Sequence, residues 1–189
     1  MASNDRKVMR KTRRVINEPG HAHELTFSCF QRWPLLRDDR IKLWFVDAME
    51  AARCRHGVRL WAYVIMPEHV HMLIHPRDYE YDVSAILKSI KQPVARKATR
   101  FFQQSDPNLF KQLRIVRPTG KVEHRFWQQG GGYDRNIVSP DVARSSIEYI
   151  EANPVRRGLA GLPTDWKWSS AQFHSGARDV PLKMDAIEL

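Results

Sequence analysis

His69 and His71 are the two residues of this sequence whose spacing most directly points to chemistry. They lie in a short apolar run that predicts a strand, and residues two apart in a strand project from the same face. Their imidazoles would then lie side by side, within reach of one divalent ion. Exposed histidines at a sheet edge show the same spacing, so the motif alone leaves both interpretations open. Val70, Met72 and Ile74 project from the opposite face, which indicates that the sheet is buried there and favours half of a metal site.

Tyr149 and Asn153 form the second candidate group, near the end of a predicted helix. The helix begins at Ser139-Pro140-Asp141, which has the order of an N-cap, a first-turn proline and a first-turn acid, and it ends before Pro154. Residues four apart in a helix lie on the same side, so Tyr149 and Asn153 are neighbours. A deprotonated tyrosine oxygen can attack a phosphodiester and form a phosphotyrosine bond while a metal ion polarises the phosphate. The alternative is a half-buried tyrosine that only packs.

Hydrophobic periodicity predicts three strands and three helices that would position these residues. The strands are expected at residues 24–30, 60–66 and 70–74, and the helices at residues 41–55, 83–102 and 140–152. The segment 105–123 is polar and is expected to be a loop. On either side of the glycines 130–132, residues 124–129 and 133–138 predict either a hairpin or a single bulged edge strand.

The charge of the chain predicts a polyanionic partner. Its 189 residues include 31 Lys and Arg against 21 Asp and Glu, a formal net charge of +10, and such an excess bears on partners and not on fold. The cations cluster in a basic N-terminal arm, in the second helix and in the segment after it. Those predicted to bind nucleic acid are Arg10, Arg13, Arg14, Lys88, Lys91, Arg96, Lys97, Arg100 and Arg125. A disordered, solubilising tail is an equally good interpretation of the arm.

The chain is predicted to form one domain at residues 20–175, between a flexible basic arm at 1–19 and a C-terminal tail at 176–189. Two cysteines, Cys29 and Cys54, are too few for a disulfide framework, which fits a reducing cytoplasm. The N-terminus is polar and basic, and no apolar run is long enough to cross a bilayer. We therefore expect a soluble cytoplasmic protein without a membrane partner, either a monomer or a homodimer.

Three segments of this sequence resemble signatures of one protein family. Met66-Pro67-Glu68-His69-Val70-His71 resembles the HUH signature of the single-tyrosine transposases. The segment 148–159, EYIEANPVRRGL, resembles their second signature, and the segment 165–170, DWKWSS, is similar to their C-terminal segment. The three occur in the order and spacing of the family, and the resemblance spans residues 20–175. The combination is most similar to the REP-associated tyrosine transposases.

This resemblance implies a fold, a site and a reaction. It implies that His69 and His71 bind Mg²⁺ or Mn²⁺, that Asn153 supplies a further ligand and that Tyr149 is the nucleophile. The implied fold is a ferredoxin-like α/β sandwich of the α+β class, with an antiparallel sheet, helices on one face and a C-terminal helix that carries the tyrosine. The predicted order of strand, helix, strand, strand, helix agrees with it. The implied reaction nicks and rejoins single-stranded DNA that bears a hairpin, through a 5′-phosphotyrosine intermediate and without a nucleotide cofactor.

Several alternatives stay open at this point. A non-catalytic protein that binds hairpin DNA or RNA fits the same basic sequence, and so does a replication or conjugative nickase with the same chemistry. Tyr133 is the rival nucleophile because it follows three glycines. Glu68 either touches the metal ion or is a turn residue, and His75 is either a further imidazole of the site or a structural residue. For Glu68 and His75 the second interpretation is favoured.

Overall fold

A four-stranded antiparallel sheet lies at the centre of the computed structural model, which describes residues 16–188. The strands of the chain are β1 (Ala22–Ser28), β2 (Val58–Ile65), β3 (His69–Pro76), β4 (Arg114–Val116), β5 (Val122–His124) and β6 (Tyr133–Ile137). The α-helices are α1 (Asp39–His56), α2 (Val83–Ser105), α3 (Pro107–Gln112), α4 (Pro140–Glu151), α5 (Asn153–Arg156) and α6 (Ala171–His174). Arg10, Arg13 and Arg14, which are predicted to bind nucleic acid, lie outside the described residues.

The order of the strands is that of a ferredoxin-like fold. The central sheet has the order β2-β3-β1-β6, in which β1 pairs antiparallel with β3 and β6, and β3 pairs antiparallel with β2. Helix α1 connects β1 to β2, and α2 lies between β3 and β6 in the chain, which is the split βαβ arrangement. The predicted α+β fold with an antiparallel sheet is therefore confirmed.

Local signals in the sequence begin and end α1 close to the predicted residues. The side chain of Asp38 accepts a hydrogen bond from the backbone N–H of Arg40 at 2.9 Å, which caps the start of the helix. Gly57 ends it with φ +57°, a left-handed conformation that glycine adopts at little cost. This turn leads the chain directly into β2, next to β3. Neither α1 nor another helix within residues 16–188 is both long and apolar enough to cross a membrane.

Alternating side chains give the sheet two buried faces. Met72 belongs to a core cluster with apolar side chains of α1 and α2, whereas its neighbour Leu73 belongs to a second cluster with Ile147 of α4. Helices α1 and α2 therefore cover one face, and α4 covers the other. Because His69 and His71 alternate with the residues that face α1 and α2, they project from the α4 side of the sheet.

The segment 105–123 is folded, so the prediction of a polar loop is wrong. It contains α3 and the hairpin of β4 and β5. Asp106 caps α3 by accepting a hydrogen bond from the backbone N–H of Leu109 at 3.0 Å. Phe110 of α3 stacks on His124 of β5 with ring centroids 3.7 Å apart. These elements are too short to show a clear hydrophobic period in the sequence.

The glycine segment 130–132 leads into the open edge of the sheet. Strand β6 pairs with β1, and its outer side has no strand partner within residues 16–188. The segment 124–129 is not part of that strand, although Trp127 forms a single bridge to Cys29. Gly132 has φ +81°, and a Cβ there would lie 2.1 Å from the carbonyl oxygen of Thr26. Glycine is therefore required where the chain approaches β1.

The C-terminal segment covers the opposite edge of the sheet, at β2. The backbone N–H of Ile65 donates to the carbonyl of Trp168 at 2.8 Å, and that of Ser170 donates to the carbonyl of Tyr63 at 3.0 Å. Further along, Leu182 is buried in the core cluster of α1 and α2. An edge strand that is covered in this way cannot readily pair with another chain. Within residues 16–188 no strand pairs with the outer side of β6, so β6 is the open edge of the part of the sheet that the structure describes.

Candidate active site

The two predicted metal-binding histidines come together on the α4 side of β3. His69 and His71 are 5% and 7% exposed, and their rings are nearly perpendicular, with centroids 4.8 Å apart. Their Nε2 atoms are 3.0 Å apart, so the two side chains direct the same ring nitrogen to one point. The spacing of two residues in a strand accounts for this arrangement.

Each histidine is held by a contact at its other ring nitrogen. Thr26 lies opposite His71 in the register of β1 and β3, and its hydroxyl oxygen is 2.7 Å from His71 Nδ1. Glu68 Oε1 is 3.1 Å from His69 Nδ1 and accepts a hydrogen bond from the guanidinium of Arg157 at 2.9 Å. Partners of this kind fix the orientation of metal-binding histidines. Sequence reasoning missed Thr26 and Arg157, and the strand register is the signal that would have revealed Thr26.

Burial keeps both imidazoles neutral. The pKa of His71 is lowered to about 3, chiefly by burial and further by the repulsion that a proton on His71 would meet from a protonated His69 and from the guanidinium of Arg156. Burial also lowers the pKa of His69, although the carboxylate of Glu68 opposes that shift. Neutral imidazole is the form that binds a metal ion. The pair can therefore bind a divalent cation at neutral pH without first losing a positive charge.

Tyr149 projects from the last turn of α4 towards the histidines. Its surface is 44% exposed, and its ring meets that of His71 edge to face, with centroids 6.0 Å apart. The guanidinium carbon of Arg156 lies 4.1 Å from the centroid of the tyrosine ring, a cation–π distance. An accessible phenol next to a pair of neutral imidazoles and a cation is suited to attack an anionic group. The cation at Arg156 is a second feature that the sequence did not reveal.

Asn153 contacts Tyr149, the residue whose ring meets that of His71. It is buried at the start of α5, and its Nδ2 donates a hydrogen bond to the backbone carbonyl of Tyr149 at 3.0 Å. With Nδ2 used in this way, Oδ1 is the amide atom that can bind a cation. The C-terminal segment fixes this end of α4, because Glu151 accepts a hydrogen bond from the hydroxyl of Ser170 at 2.6 Å and lies 2.6 Å from His174 Nδ1.

An open cleft of about 850 Å³ extends from Tyr149 and His71 to β6, and we call it the active-site cleft. In its wall, the carboxylate of Glu24 accepts a hydrogen bond from the hydroxyl of Ser146 at 3.0 Å. Tyr133, the rival nucleophile, also lines this cleft. Both candidate tyrosines therefore border the same space, with Tyr149 in ring contact with His71.

His75 lies apart from the histidine pair, near the other end of β3. Its ring stacks on that of Trp61 with centroids 4.8 Å apart and an angle of 14° between the ring planes. Its side chain is buried. The structural role favoured from the sequence stays a prediction, and the stacking on Trp61 is the contact that such a role would use.

The histidine pair supplies two ligands that fit one divalent metal ion. An octahedral ion bonded at about 2.1 Å has adjacent ligand atoms about 3 Å apart, and the two Nε2 atoms are separated by 3.0 Å. Within residues 16–188, no three His, Cys, Asp or Glu side chains come together as a metal site. The further ligands would therefore have to be an amide such as Asn153, water or the substrate itself.

The predicted nucleic-acid-binding cations that the structure describes are divided between surfaces. Three of them line a cleft between α2 and the segment 124–132, namely Lys88, Lys91 and Arg125. Lys97 instead pairs with Asp47 of α1 at 3.8 Å, and Arg96 and Arg100 are exposed elsewhere on α2. Because α2 covers the face of the sheet opposite the histidines, its cations and the histidine pair lie on different sides of the sheet.

Comparisons with known proteins agree with the resemblance drawn from the sequence. Residues 20–153 match the family model described as transposase, IS200 like. A Haemophilus influenzae protein with the provisional name of REP-associated tyrosine transposase is 26% identical over 153 residues, which cover 77% of this chain and 78% of that protein. A solved structure of a REP-associated tyrosine transposase bound to a REP hairpin is 19% identical, with a TM-score of 0.64 over 96% of this chain and 95% of that chain. Since the family match spans most of its length, this chain belongs to the IS200-like transposases, a family of tyrosine transposases that cleave DNA.

Proposed function

We propose that this transposase nicks and rejoins single-stranded DNA by forming a covalent 5′-phosphotyrosine bond at Tyr149. The observation that carries the proposal is the contact between Tyr149 and His71, with ring centroids 6.0 Å apart, beside the guanidinium of Arg156. The proposed nucleophile, the histidine pair and the cation thus lie next to one another within a single chain, which supports a tyrosine that acts in its own subunit. With 44% of its surface exposed, Tyr149 is accessible to a substrate from the cleft.

In the proposed reaction, the phenolic oxygen of Tyr149 attacks the phosphorus of the scissile phosphodiester. A bond forms between the tyrosine oxygen and phosphorus while the bond from phosphorus to the 3′ oxygen breaks. The phenol proton is lost to solvent through the open cleft, and the 3′ oxygen takes up a proton to become a 3′-OH. The phosphotyrosine bond conserves the energy of the phosphodiester, so the reverse attack by a 3′-OH rejoins DNA without a nucleotide cofactor.

The residues around Tyr149 have separate roles in this proposal. Arg156 stabilises the negative charge that develops on the phenol oxygen and the phosphate. Asn153 holds the main chain of Tyr149 at the end of α4. Thr26 and Glu68 orient the histidines through their Nδ1 atoms.

We propose that His69, His71 and the Oδ1 of Asn153 hold Mg²⁺ or Mn²⁺. When bound, the ion would withdraw charge from the scissile phosphate. The converging Nε2 atoms and the neutral state of both imidazoles support this assignment. Two nitrogen donors make Mn²⁺ the better fit, because Mg²⁺ prefers oxygen ligands.

We propose hairpin DNA from repeated elements as the substrate. The solved structure that this chain resembles is of a protein bound to a REP hairpin, and the net charge of +10 favours a polyanion. The arm residues Arg10, Arg13 and Arg14, together with Lys88, Lys91 and Arg125, would contact phosphates, while base contacts would select the target. We propose that the protein acts on such DNA in the cytoplasm.

The proposal is tested by a covalent-adduct assay with the full-length protein. Labelled hairpin oligonucleotides from repeats near its own gene are mixed with the protein and Mn²⁺ or Mg²⁺, and a protein–DNA band that survives denaturation is sought. We expect the band with the wild type and with Tyr133→Phe, and its loss with Tyr149→Phe and His69→Ala.

Two outcomes would contradict the proposal. A band that persists in Tyr149→Phe and disappears in Tyr133→Phe would move the nucleophile to β6. Binding without any band, across a range of hairpins and with both metals, would remove the covalent chemistry and leave a DNA-binding role.

A further inference from the structure

A second cleft lies on the other side of β6 from the active-site cleft. Its volume is about 900 Å³, and it lies between α2 and the segment 124–132. Tyr133 and Arg135 line the active-site cleft, whereas Gly132 and Asp134 line the second cleft. Successive residues of the segment 132–135 thus alternate between the two clefts. The clefts are separated by the width of one edge strand.

The second cleft carries positive charge that residues 16–188 do not neutralise. Its two acids have partners, since Glu123 pairs with Arg117 at 2.7 Å and Asp134 Oδ1 is 2.8 Å from His23 Nδ1. Three of its cations form no ion pair with any residue in the part of the chain that the structure describes, namely Lys88, Lys91 and Arg125. The cleft is therefore suited to an anionic ligand.

Lys91 is the most direct sign of an anion site in this cleft. Its Nζ lies 5.1 Å from the ring centroid of Phe27 and 5.9 Å from that of Trp127, and it donates one hydrogen bond, to the carbonyl of Gly130 at 3.3 Å. An ammonium group has three donors, and burial lowers the pKa of this one. Charges removed from water are normally paired, yet no carboxylate within residues 16–188 pairs with Lys91.

We propose that the single-stranded DNA next to the cleaved phosphate crosses the open edge of β6 and lies in the second cleft, with its phosphates on Lys88, Lys91 and Arg125. This inference rests on the proposed function, because it starts from a strand held at Tyr149. The path follows from topology: Tyr149 and α2 lie on opposite faces of the sheet, and the C-terminal segment covers the β2 edge. The edge at β6 is therefore the short route between them. Amide side chains that can hydrogen-bond to bases also line the cleft, namely Gln92, Gln128 and Gln129.

The test measures the affinity that an unpaired extension adds to a hairpin. Hairpins with one common stem are compared, either blunt or with about ten unpaired thymidines on the 5′ or the 3′ side, a length within the site size of single-strand binders. Binding to the full-length protein is measured over a salt series without divalent metal. The wild type should bind one of the extended hairpins more tightly than the blunt one. In Lys88→Ala and Arg125→Ala this gain in affinity should be smaller. The plot of the logarithm of the association constant against the logarithm of the salt concentration should also be less steep, by about 0.7 for each phosphate that the variant no longer neutralises.

Arg96→Ala is the matched control, because Arg96 lies on the same helix but does not line the second cleft. It should leave the gain from the extension unchanged. Equal gains in Lys88→Ala, Arg125→Ala and Arg96→Ala would overturn the path, and so would a wild type that gains nothing from either extension. Lys91 is left intact because it packs against core aromatic rings. This binding assay needs no metal ion and no covalent bond, so its result does not depend on which tyrosine is the nucleophile. The nucleophile is tested separately, by the adduct assay.

Discussion

The histidine pair and the tyrosine of the proposed active site differ in how far they are buried and in what holds them. His69 and His71 lie on a strand with neighbours on both sides, are less than a tenth exposed, and are each held at Nδ1. Tyr149 lies at the end of a helix, with 44% of its surface exposed and a cation over its ring. A pair that binds metal gains from fixed geometry, whereas a nucleophile that becomes joined to DNA needs room for the strand.

This contrast predicts two classes of variant. Changes next to the histidines should weaken metal binding, because they release side chains that are held in one orientation. Changes next to the tyrosine should slow the reaction and leave the metal and the fold in place. We call His69, His71 and the residues that hold them the buried half of the site, and Tyr149 with Arg156 and Asn153 the exposed half. If the two halves are independent, a variant in one half should leave the function of the other unchanged.

The largest expected effect is that of Tyr149→Phe. It removes the nucleophilic oxygen but keeps the ring against His71 and under Arg156, so adduct formation should fall by at least about a thousandfold. The Mn²⁺ affinity and the thermal unfolding midpoint should not change. Adduct formation is followed on denaturing gels and Mn²⁺ binding by electron paramagnetic resonance, with Tyr133→Phe as the control. If Tyr149→Phe also weakened Mn²⁺ binding, the two halves would not be independent.

The next effect concerns the buried half, through Thr26→Val. When His71 Nε2 binds a metal ion, its Nδ1 carries the proton and donates to the hydroxyl of Thr26, and valine cannot accept that hydrogen bond. We expect Mn²⁺ to bind about 10- to 100-fold more weakly, and adduct formation to recover at high Mn²⁺ concentration. Thr26→Ser keeps the hydroxyl and is the control. An unchanged Mn²⁺ affinity in Thr26→Val would show that the contact does not orient His71.

The buried half was the more predictable from the sequence. A strand has one side-chain period, so the placement of His69 and His71 on one face followed from their spacing alone. The contact of Thr26 with His71 needed the register between β1 and β3, which is set by pairing across 45 residues of chain. Local periodicity does not contain that information.

The exposed half and the DNA-binding surfaces were less predictable. Helix geometry placed Asn153 near Tyr149, but in a straight helix Arg156 would lie about 10 Å further along the axis. The sequence does not show that its guanidinium folds back over the ring. Likewise, periodicity predicted helix α2, and its cations could be read from the sequence. The face of the sheet that this helix covers depends on the order in which all strands and helices pack, which the local pattern does not show. The sequence therefore grouped the cations of α2 with the other residues predicted to bind nucleic acid, without showing that they lie on the opposite side of the sheet from the histidines.

A smaller effect is expected for Arg156→Gln. Loss of the guanidinium beside Tyr149 removes a positive charge from the place where negative charge develops, so adduct formation should slow by about tenfold. Arg156→Lys should retain part of the rate, since an ammonium keeps the charge but not the planar stacking. The rate is measured at saturating DNA, which separates chemistry from binding. A loss confined to hairpin affinity would assign Arg156 to DNA binding and not to the reaction.

The smallest effect on Mn²⁺ affinity is expected for Arg157→Gln. This variant tests whether an exposed residue contributes to the orientation of the buried histidines. Arg157 holds Glu68, which in turn holds His69, but the side chain of Arg157 is 53% exposed whereas that of Glu68 is 13% exposed. Water can replace an exposed ion-pair partner at little cost, so Glu68 should still accept a hydrogen bond from the Nδ1–H of His69. We expect Mn²⁺ affinity to fall by less than about threefold, and to fall further in Glu68→Ala, measured under the same conditions. If Arg157→Gln weakened Mn²⁺ binding as much as Thr26→Val, the orientation of the histidines would depend on the protein surface, and burial would not be what distinguishes them from the tyrosine.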